Sequence, residues 1–416
     1  MSEKKRQTAL IFVCVAIYAF AYVGRYSFSS NVNSIMDYYG AGKSETGLIG
    51  TFFFFAYGIG QILNGIFCKH YNKKWVLSTA MLISAGCNLV IFIGVPFSAL
   101  KFIWLVNGVA QSFLWSSLIS LVSQNVSHSR LRFAVTVLST SLAIGTFVSY
   151  GASALFNLVG KFKYSFLLGA VCLITIGVLW FIFHDKLTNK PFDFIEKEFA
   201  LDKEPSKENT QSKAIAVNLT LLFISLSVFA VINNFIKDGL NTWVPTILKD
   251  TYGFTNSLSI ALTLVLPVLN VFGSVMSEWV YAKLKNFITT LSVLSFVAML
   301  FILVIVLTLK SIMIVSLLSF GIVALLMTGI THIIVSSAPV YMRSKMDSGV
   351  TSGVLDGFCY LGSTISSYGL GFVAESLGWH GAFYIMLGAC AIPVVVGLIL
   401  TIIQSVKKRN QKEQLQ

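Results

Sequence analysis

Long apolar runs alternate with short polar segments along the whole chain. Runs of 19 or more apolar or small residues cover Leu10 to Ser29, Thr46 to Phe67, Trp75 to Val95, Phe102 to Val122, Phe133 to Leu158, Tyr164 to Phe183, Ala216 to Gly239, Leu258 to Ala282, Phe287 to Leu309, Ile312 to Ser336, Gly349 to Ala374 and Gly381 to Ile403. A helix needs about 20 such residues to cross a hydrocarbon core of about 30 Å. The pattern predicts an all-α membrane protein of twelve transmembrane helices. The one long polar stretch, His184 to Lys213, contains DFIEKEFALDKEPSKENTQSK. Its mixed charge and Pro205 predict a linker with room for a short surface helix. It divides the chain into a six-helix bundle over 1–184, a linker over 185–213 and a second six-helix bundle over 214–416.

Composition agrees with the pattern: 56% of the 416 residues are hydrophobic and 11% charged, against about a quarter charged in a soluble domain. Basic residues set the orientation, because Lys and Arg of short loops stay on the cytoplasmic side. With the N-terminus inside, Lys4, Lys5, Arg6, Lys69, Lys73, Lys74, Arg130, Arg132, Lys283, Lys285, Arg343 and Lys345, together with the basic residues of the linker and C-terminus, are cytoplasmic. The opposite loops hold only Lys43, Lys101, Lys161, Lys163, Lys249 and Lys310. The expectation is a multi-pass protein of the cell (inner or plasma) membrane, both termini cytoplasmic. This bias accounts for the net charge of +13 without a nucleic-acid partner.

The basic, apolar N-terminal segment is not followed by a small-residue cleavage site, so it is read as the first helix. The six cysteines lack metal-ligand spacing and read as small apolar residues. No nucleotide-binding loop or nucleophile constellation occurs, so neither an enzyme nor a cofactor is expected.

Six helices plus six around a cytoplasmic loop is the layout of major facilitator transporters. A weak internal echo supports it: NGIFCKHYNKK after helix two and GSVMSEWVYAKLK after helix eight each pair a glycine-containing helix end with a basic turn, and Glu278 stands in the second.

Ionisable groups at depth in a membrane cost roughly 3 kcal/mol or more each, so they mark function by default. Four occur: Arg25, Lys237, Asp238 and Asp356. Arg25 lies roughly 23 Å along helix one, on a stripe with Tyr18, Tyr22 and Ser29. Lys237 lies in the equivalent helix seven beside Asn233, Asn234 and Asn241, and Trp243 and Pro245 are expected to end that helix. Two cations from related helices suit an anion, a guanidinium offering a fork and an ammonium a point charge. The competing reading is that they merely neutralise Asp356 and Asp238. Asp356 is open to three roles: coupling proton acceptor, partner of Lys237, or vestibule residue. Asp238 points about 100° away from Lys237 and reads as a packing or gating group. Gln61, Asn64, Asn107, Gln111, Trp115 and His332 complete the polar and amphipathic candidates; for any one of them an interhelical hydrogen bond is the commoner role. Gln61, Gln111, Trp115, Asn234 and Tyr360 join Arg25, Lys237, Tyr18 and Tyr22 as candidate substrate contacts, with Asp356 and Asp238 as coupling or gating groups.

At these positions the chain resembles the organophosphate:inorganic phosphate antiporter family of the major facilitators. The resemblance is carried by YAFAYVGRYSFS with Arg25, GVAQSFLW with Gly108, Gln111 and Trp115, KDGLNTWVPTIL with the second cation, and GWHGAFYIMLGA from Gly378. It departs from the family in four places. Lys237 replaces the usual arginine, Gln61 matches a lysine, VLSTSLAIG lacks a histidine, and Ser116 stands where proline is common. The resemblance implies a secondary transporter of a small organic anion, a phosphorylated sugar or polyol, working as a monomer by alternating access with phosphate exchange or proton coupling. A receptor for a phosphorylated metabolite has the same core. A proton-coupled exporter of amphiphilic compounds using Asp356 is a third reading.

Overall fold

The computed structural model describes residues 3–67, 70–188, 212–342 and 348–413. Helices are α1 (Glu3–Ser29), α2 (Val32–Tyr39), α3 (Lys43–Phe67), α4 (Lys73–Ile93), α5 (Phe97–Asn125), α6 (His128–Leu158) and α7 (Tyr164–Thr188). Then follow α8 (Ser212–Tyr252), α9 (Asn256–Thr263), α10 (Val265–Leu284), α11 (Phe287–Thr308), α12 (Met313–His332), a π-helical turn Ile333–Ser337, α13 (Ala338–Tyr341) and α14 (Ser348–Glu413). No strand occurs among the described residues. Eleven of these stretches are long and apolar enough to cross a membrane. The last, 52 residues long, breaks at Gly378 (φ 71°, ψ −179°). Only glycine adopts that conformation cheaply, so α14 supplies two crossings and the total is twelve.

Two differences from the expected elements trace to prolines. α8 does not stop at Pro245 but runs on to Tyr252. A proline frees the carbonyl four residues back, here Asn241, and that oxygen accepts a hydrogen bond from Tyr150 Oη of α6 at 2.6 Å. Pro245's own carbonyl accepts from Asn33 Nδ2 at 3.1 Å. An outside donor therefore lets the helix continue. The eighth crossing, by contrast, is broken into α9 and α10. The ring of Pro267 would meet the Thr263 carbonyl, and the chain tightens at Leu264, whose N–H bonds Ala261 at 3.1 Å. Most of the linker expected over 185–213 lies outside the described residues; 185–188 continue α7 and 212–213 begin α8.

Lipid offers no hydrophobic drive between helices, so close packing of small residues holds them together. A seam of this kind joins α3 to the first part of α14 along its whole length. A Cβ on Gly47 would lie 2.2 Å from the Ser367 carbonyl, one on Gly58 3.0 Å from Tyr360 Cβ, and one on Gly353 3.1 Å from Gly65 Cα. Gly362 sits as tightly on α8, 1.9 Å from the Val231 carbonyl oxygen.

At the end where α1 terminates, polar ties cross between the first six crossings and the last six. Lys249 Nζ grips both carboxylate oxygens of Asp37 at 2.8 and 2.7 Å, and Asn256 Nδ2 adds 2.9 Å to the same group. Lys43 pairs with Asp250 at 3.1 Å, whose carboxylate also accepts from Trp379 Nε1. Ser44 Oγ donates to Glu375 at 2.5 Å. Asp37 belongs to α2, a short helix absent from the twelve expected. The ion pairs at the opposite end, Lys74–Asp185 and His332–Glu278, join helices within one group of six.

Gly362→Ala is expected to destabilise the purified protein by about 1–3 kcal/mol through overpacking, whereas Gly86→Ala, with open space around its Cβ, leaves melting unchanged or slightly raised; thermal denaturation in detergent compares them. An exposed ion pair contributes about 0.2–1 kcal/mol. Asp37→Lys or Lys249→Asp alone should therefore speed alkylation of a cysteine placed at buried Val32 by up to about fivefold, and the double exchange should restore the slow rate. Equal rates in single and double variants would remove the latch role.

Candidate functional site

Arg25 is 6% exposed, and six aromatic rings surround its guanidinium. The centroids of Phe53 and Tyr57 are 4.9 Å from Cζ, Tyr22 and Tyr360 5.2 Å, Phe54 5.4 Å and Tyr26 5.9 Å. Nη1 donates to Tyr360 Oη at 3.2 Å and to Tyr22 Oη at 3.5 Å. Each ring face supplies about 0.5–2 kcal/mol to a desolvated cation. Among the described residues neither Arg25 nor Lys237 has a carboxylate within ion-pair distance. The guanidinium is thus held by quadrupoles and phenols, and its charge is not cancelled by contact.

The α1 stripe extends from this cage. Tyr18 stands edge-on to Tyr22 at 4.9 Å, its hydroxyl 3.5 Å from that of Tyr22, and its ring meets Trp115 of α5 at 4.9 Å. The helical spacing from Tyr18 to Arg25 makes these contacts unavoidable once α1 is buried on that side. Tyr360 arrives from α14, its ring tilted 48° against Tyr57 with centroids 4.3 Å apart.

One turn before Tyr360, Asp356 accepts a hydrogen bond from Gln61 Nε2 of α3 at 2.9 Å. Gln61 Oε1 accepts in turn from Ser116 Oγ at 3.5 Å, so two positions that depart from the family pattern bond each other. Neither Lys237 nor Arg25 lies within ion-pair distance of Asp356. Lys237 Nζ donates to Thr331 Oγ1 at 3.3 Å. The same hydroxyl donates to Asn234 Oδ1 at 3.2 Å and accepts from Asn233 Nδ2 at 2.8 Å. Thr331 lies just before the π-helical turn, a backbone irregularity frequent at functional sites. Asp238 turns the other way and accepts from Ser363 Oγ at 2.5 Å.

The remaining candidates bond neighbouring side chains and backbone. Gln111 Nε2 donates to Ser84 Oγ, the Asn107 carbonyl oxygen of the side chain and the Ala21 backbone, at 3.0–3.3 Å. Asn64 donates to Ser112. His332 Nε2 lies 3.2 Å from Glu278, which also accepts from Ser337. Asn241 enters through its backbone rather than its side chain. Cys14, Cys87, Cys359 and Cys390 are buried and unbridged. Among the described residues no cluster has the ligands for a metal.

Sequence reasoning missed Tyr26, Phe53, Phe54, Tyr57, Thr331 and Ser363. The run TFFFFAYG (51–58) lies in the second crossing with one side out and one side in: Phe55 is exposed and Phe53 buried. A stripe of Phe54, Tyr57 and Gln61 at helical spacing was the available signal.

The arrangement is a buried guanidinium in an aromatic cage, with an ammonium on a neighbouring helix of the second half. In fold the chain is similar to a bacterial homologue of the human lysosomal transporter Spinster, with TM-score 0.72 at 14% identity over 96% of each chain. It is also similar to the nucleoside transporter NupG, with TM-score 0.68 at 12% identity over 94% of this chain and 99% of that one. In sequence it is 23% identical over 404 residues to a probable hexose phosphate transport protein of Chlamydia muridarum (90% of this chain, 86% of the relative). It is 22% identical to the glycerol-3-phosphate transporter of Bacillus subtilis (94% and 91%). The sugar phosphate exchanger 3 of Homo sapiens shares 21% (88% and 82%). With the family model matching residues 14–354, the chain belongs to the Major Facilitator Superfamily.

Proposed function

We propose that this protein is a secondary transporter that carries a small phosphorylated organic anion, a sugar or polyol phosphate, by alternating access. The observation that carries the reading is the buried guanidinium of Arg25, free of any contacting carboxylate among the described residues and reached from the second half by the Tyr360 hydroxyl. A phosphate is the acceptor a guanidinium fork fits best. Lys237, with its ammonium on a single neutral hydroxyl, supplies the second charge. The named activities of the sequence relatives support the same substrate class.

In this reading 1–184 and 214–416 are the two moving bundles, the latch around Asp37–Lys249 closes the outer face, and both termini are cytoplasmic in the plasma membrane. The substrate bridges Arg25 and Lys237, drawing α1 and α8 together, and the loaded form reorients. The functional unit is the monomer. No step makes or breaks a covalent bond, in keeping with a transporter family.

Arg25→Lys and Arg25→Ala are each expected to lower uptake of the cognate phosphate ester in reconstituted vesicles by about ten- to a hundredfold, the value of one charge-assisted contact; normal uptake in Arg25→Ala would sink the site. Phosphate esters at about 100 times their Kd should stabilise the purified protein by about 2.7 kcal/mol, and the corresponding free alcohols should not. Binding with no counterflow would identify a receptor instead.

A further inference from the structure

The π-helical turn has a cause in the sequence. Pro339 has no N–H to offer the carbonyl of Val335, four residues back, and its ring crowds that oxygen. The chain widens instead: the Ala338 N–H reaches the Ile333 carbonyl, five residues back, and Ser352 Oγ of α14 donates to the Val335 oxygen at 2.6 Å. In an α-helix, residues five apart point about 140° away from each other; in a turn closed by i→i+5 bonds they come round towards one side. His332 and Ser337 are five apart, and both meet Oε1 of Glu278 on α10. His332 Nε2 lies 3.2 Å from it, and Ser337 Oγ donates to it.

These bonds fix an angle that the packing leaves open. α12 lies against α10 through Gly329 and Gly273, where a Cβ on Gly329 would come within 2.7 Å of the Gly273 carbonyl oxygen. Contact between glycines lets two helices approach closely but offers no side chain to stop one turning about its own axis. His332 stands three residues on from Gly329, on the same face of α12, so its contact with Glu278 supplies the missing stop. Thr331 is the neighbour of His332, about 100° round the helix. Its hydroxyl carries Lys237 at 3.3 Å, with Asn233 and Asn234 at 2.8 and 3.2 Å. A rotation of α12 that freed His332 would turn this hydroxyl away from α8.

We propose that Glu278 is a positioning residue of the anion site: by holding His332 and Ser337 across the π-helical turn it sets the rotation of α12, and with it the place where Thr331 presents Lys237 to the substrate. The inference rests on the anion reading above, in which Lys237 supplies the second charge. Glu278 lies outside ion-pair distance of Lys237, so it acts through α12 and not by contact.

A double-mutant cycle tests this, with affinity for glycerol 3-phosphate and for glucose 6-phosphate measured by calorimetry on the purified full chain. Glu278→Ala is expected to weaken binding about tenfold, and Glu278→Gln, which keeps an acceptor oxygen in the same place, to recover most of that loss. With Thr331→Val already present, Glu278→Ala should weaken binding by less than about twofold more, because its effect passes through the hydroxyl that is gone. Losses that add in full in the double variant, or a Glu278→Gln as weak as Glu278→Ala, overturn the proposal. Where Glu278→Ala does not fold, Ser337→Ala takes its place in the cycle with an expected loss of about threefold. A wild type that binds neither ester strikes the anion reading and this inference with it, a different result from additive losses.

Discussion

A guanidinium kept charged inside a bilayer is the constraint around which the rest of this molecule is arranged. Burial of such a charge costs several kcal/mol even after relaxation, and the direct remedy would be a carboxylate in contact. Here the remedy is spread over six ring faces and two phenol hydroxyls from α1, α3 and α14. A contacting carboxylate would satisfy the guanidinium permanently. Rings and phenols steady it and leave its charge uncancelled. The same choice explains why α3, α14 and α1 must meet so closely, since a cage of rings works only within about 6 Å of the cation.

Such closeness must coexist with movement, and the structure divides the two demands by depth. Along the α3–α14 seam, glycines bring the helices close at Gly47, Gly58 and Gly353, with the rings of Tyr57 and Tyr360 set between these approaches. At the loop end the bundles are tied by exposed ion pairs, each a weak bond that water can replace at little cost. The deep contacts are thus close-packed, and those at the loop end are polar and wet.

Much of the fold was readable from periodicity alone, because in lipid every backbone group must be satisfied within its own helix. The apolar runs therefore gave the crossings to within several residues at each end, except where α8 runs on past Gly239 to Tyr252. α2 escaped because its eight residues are too few to cross anything. The site was readable where charge stood out: Arg25, Lys237 and Asp356 are conspicuous in apolar text. Its aromatic half was fainter, since in an apolar helix only the spacing of Phe54 and Tyr57 from Gln61 marks the inner side, and Phe53 carries no such mark. Thr331 was hidden for a related reason. Its role comes from Lys237, 94 residues away, and no local pattern encodes such a pairing. Pro245 misled because a proline's effect depends on whether some other helix supplies the missing donor.

That donor has a consequence of its own. The Asn241 carbonyl cannot be served by its own helix, and Tyr150 on α6 fills it from the opposite half. Any motion that draws α6 away from α8 strips the oxygen of its partner, and only a water molecule can take the vacated place. Wetting of this one oxygen and parting of the two helices become a single event. A proline in α8 thereby makes hydration a condition of opening, where a continuous hydrogen-bond ladder would have allowed the gap to form dry.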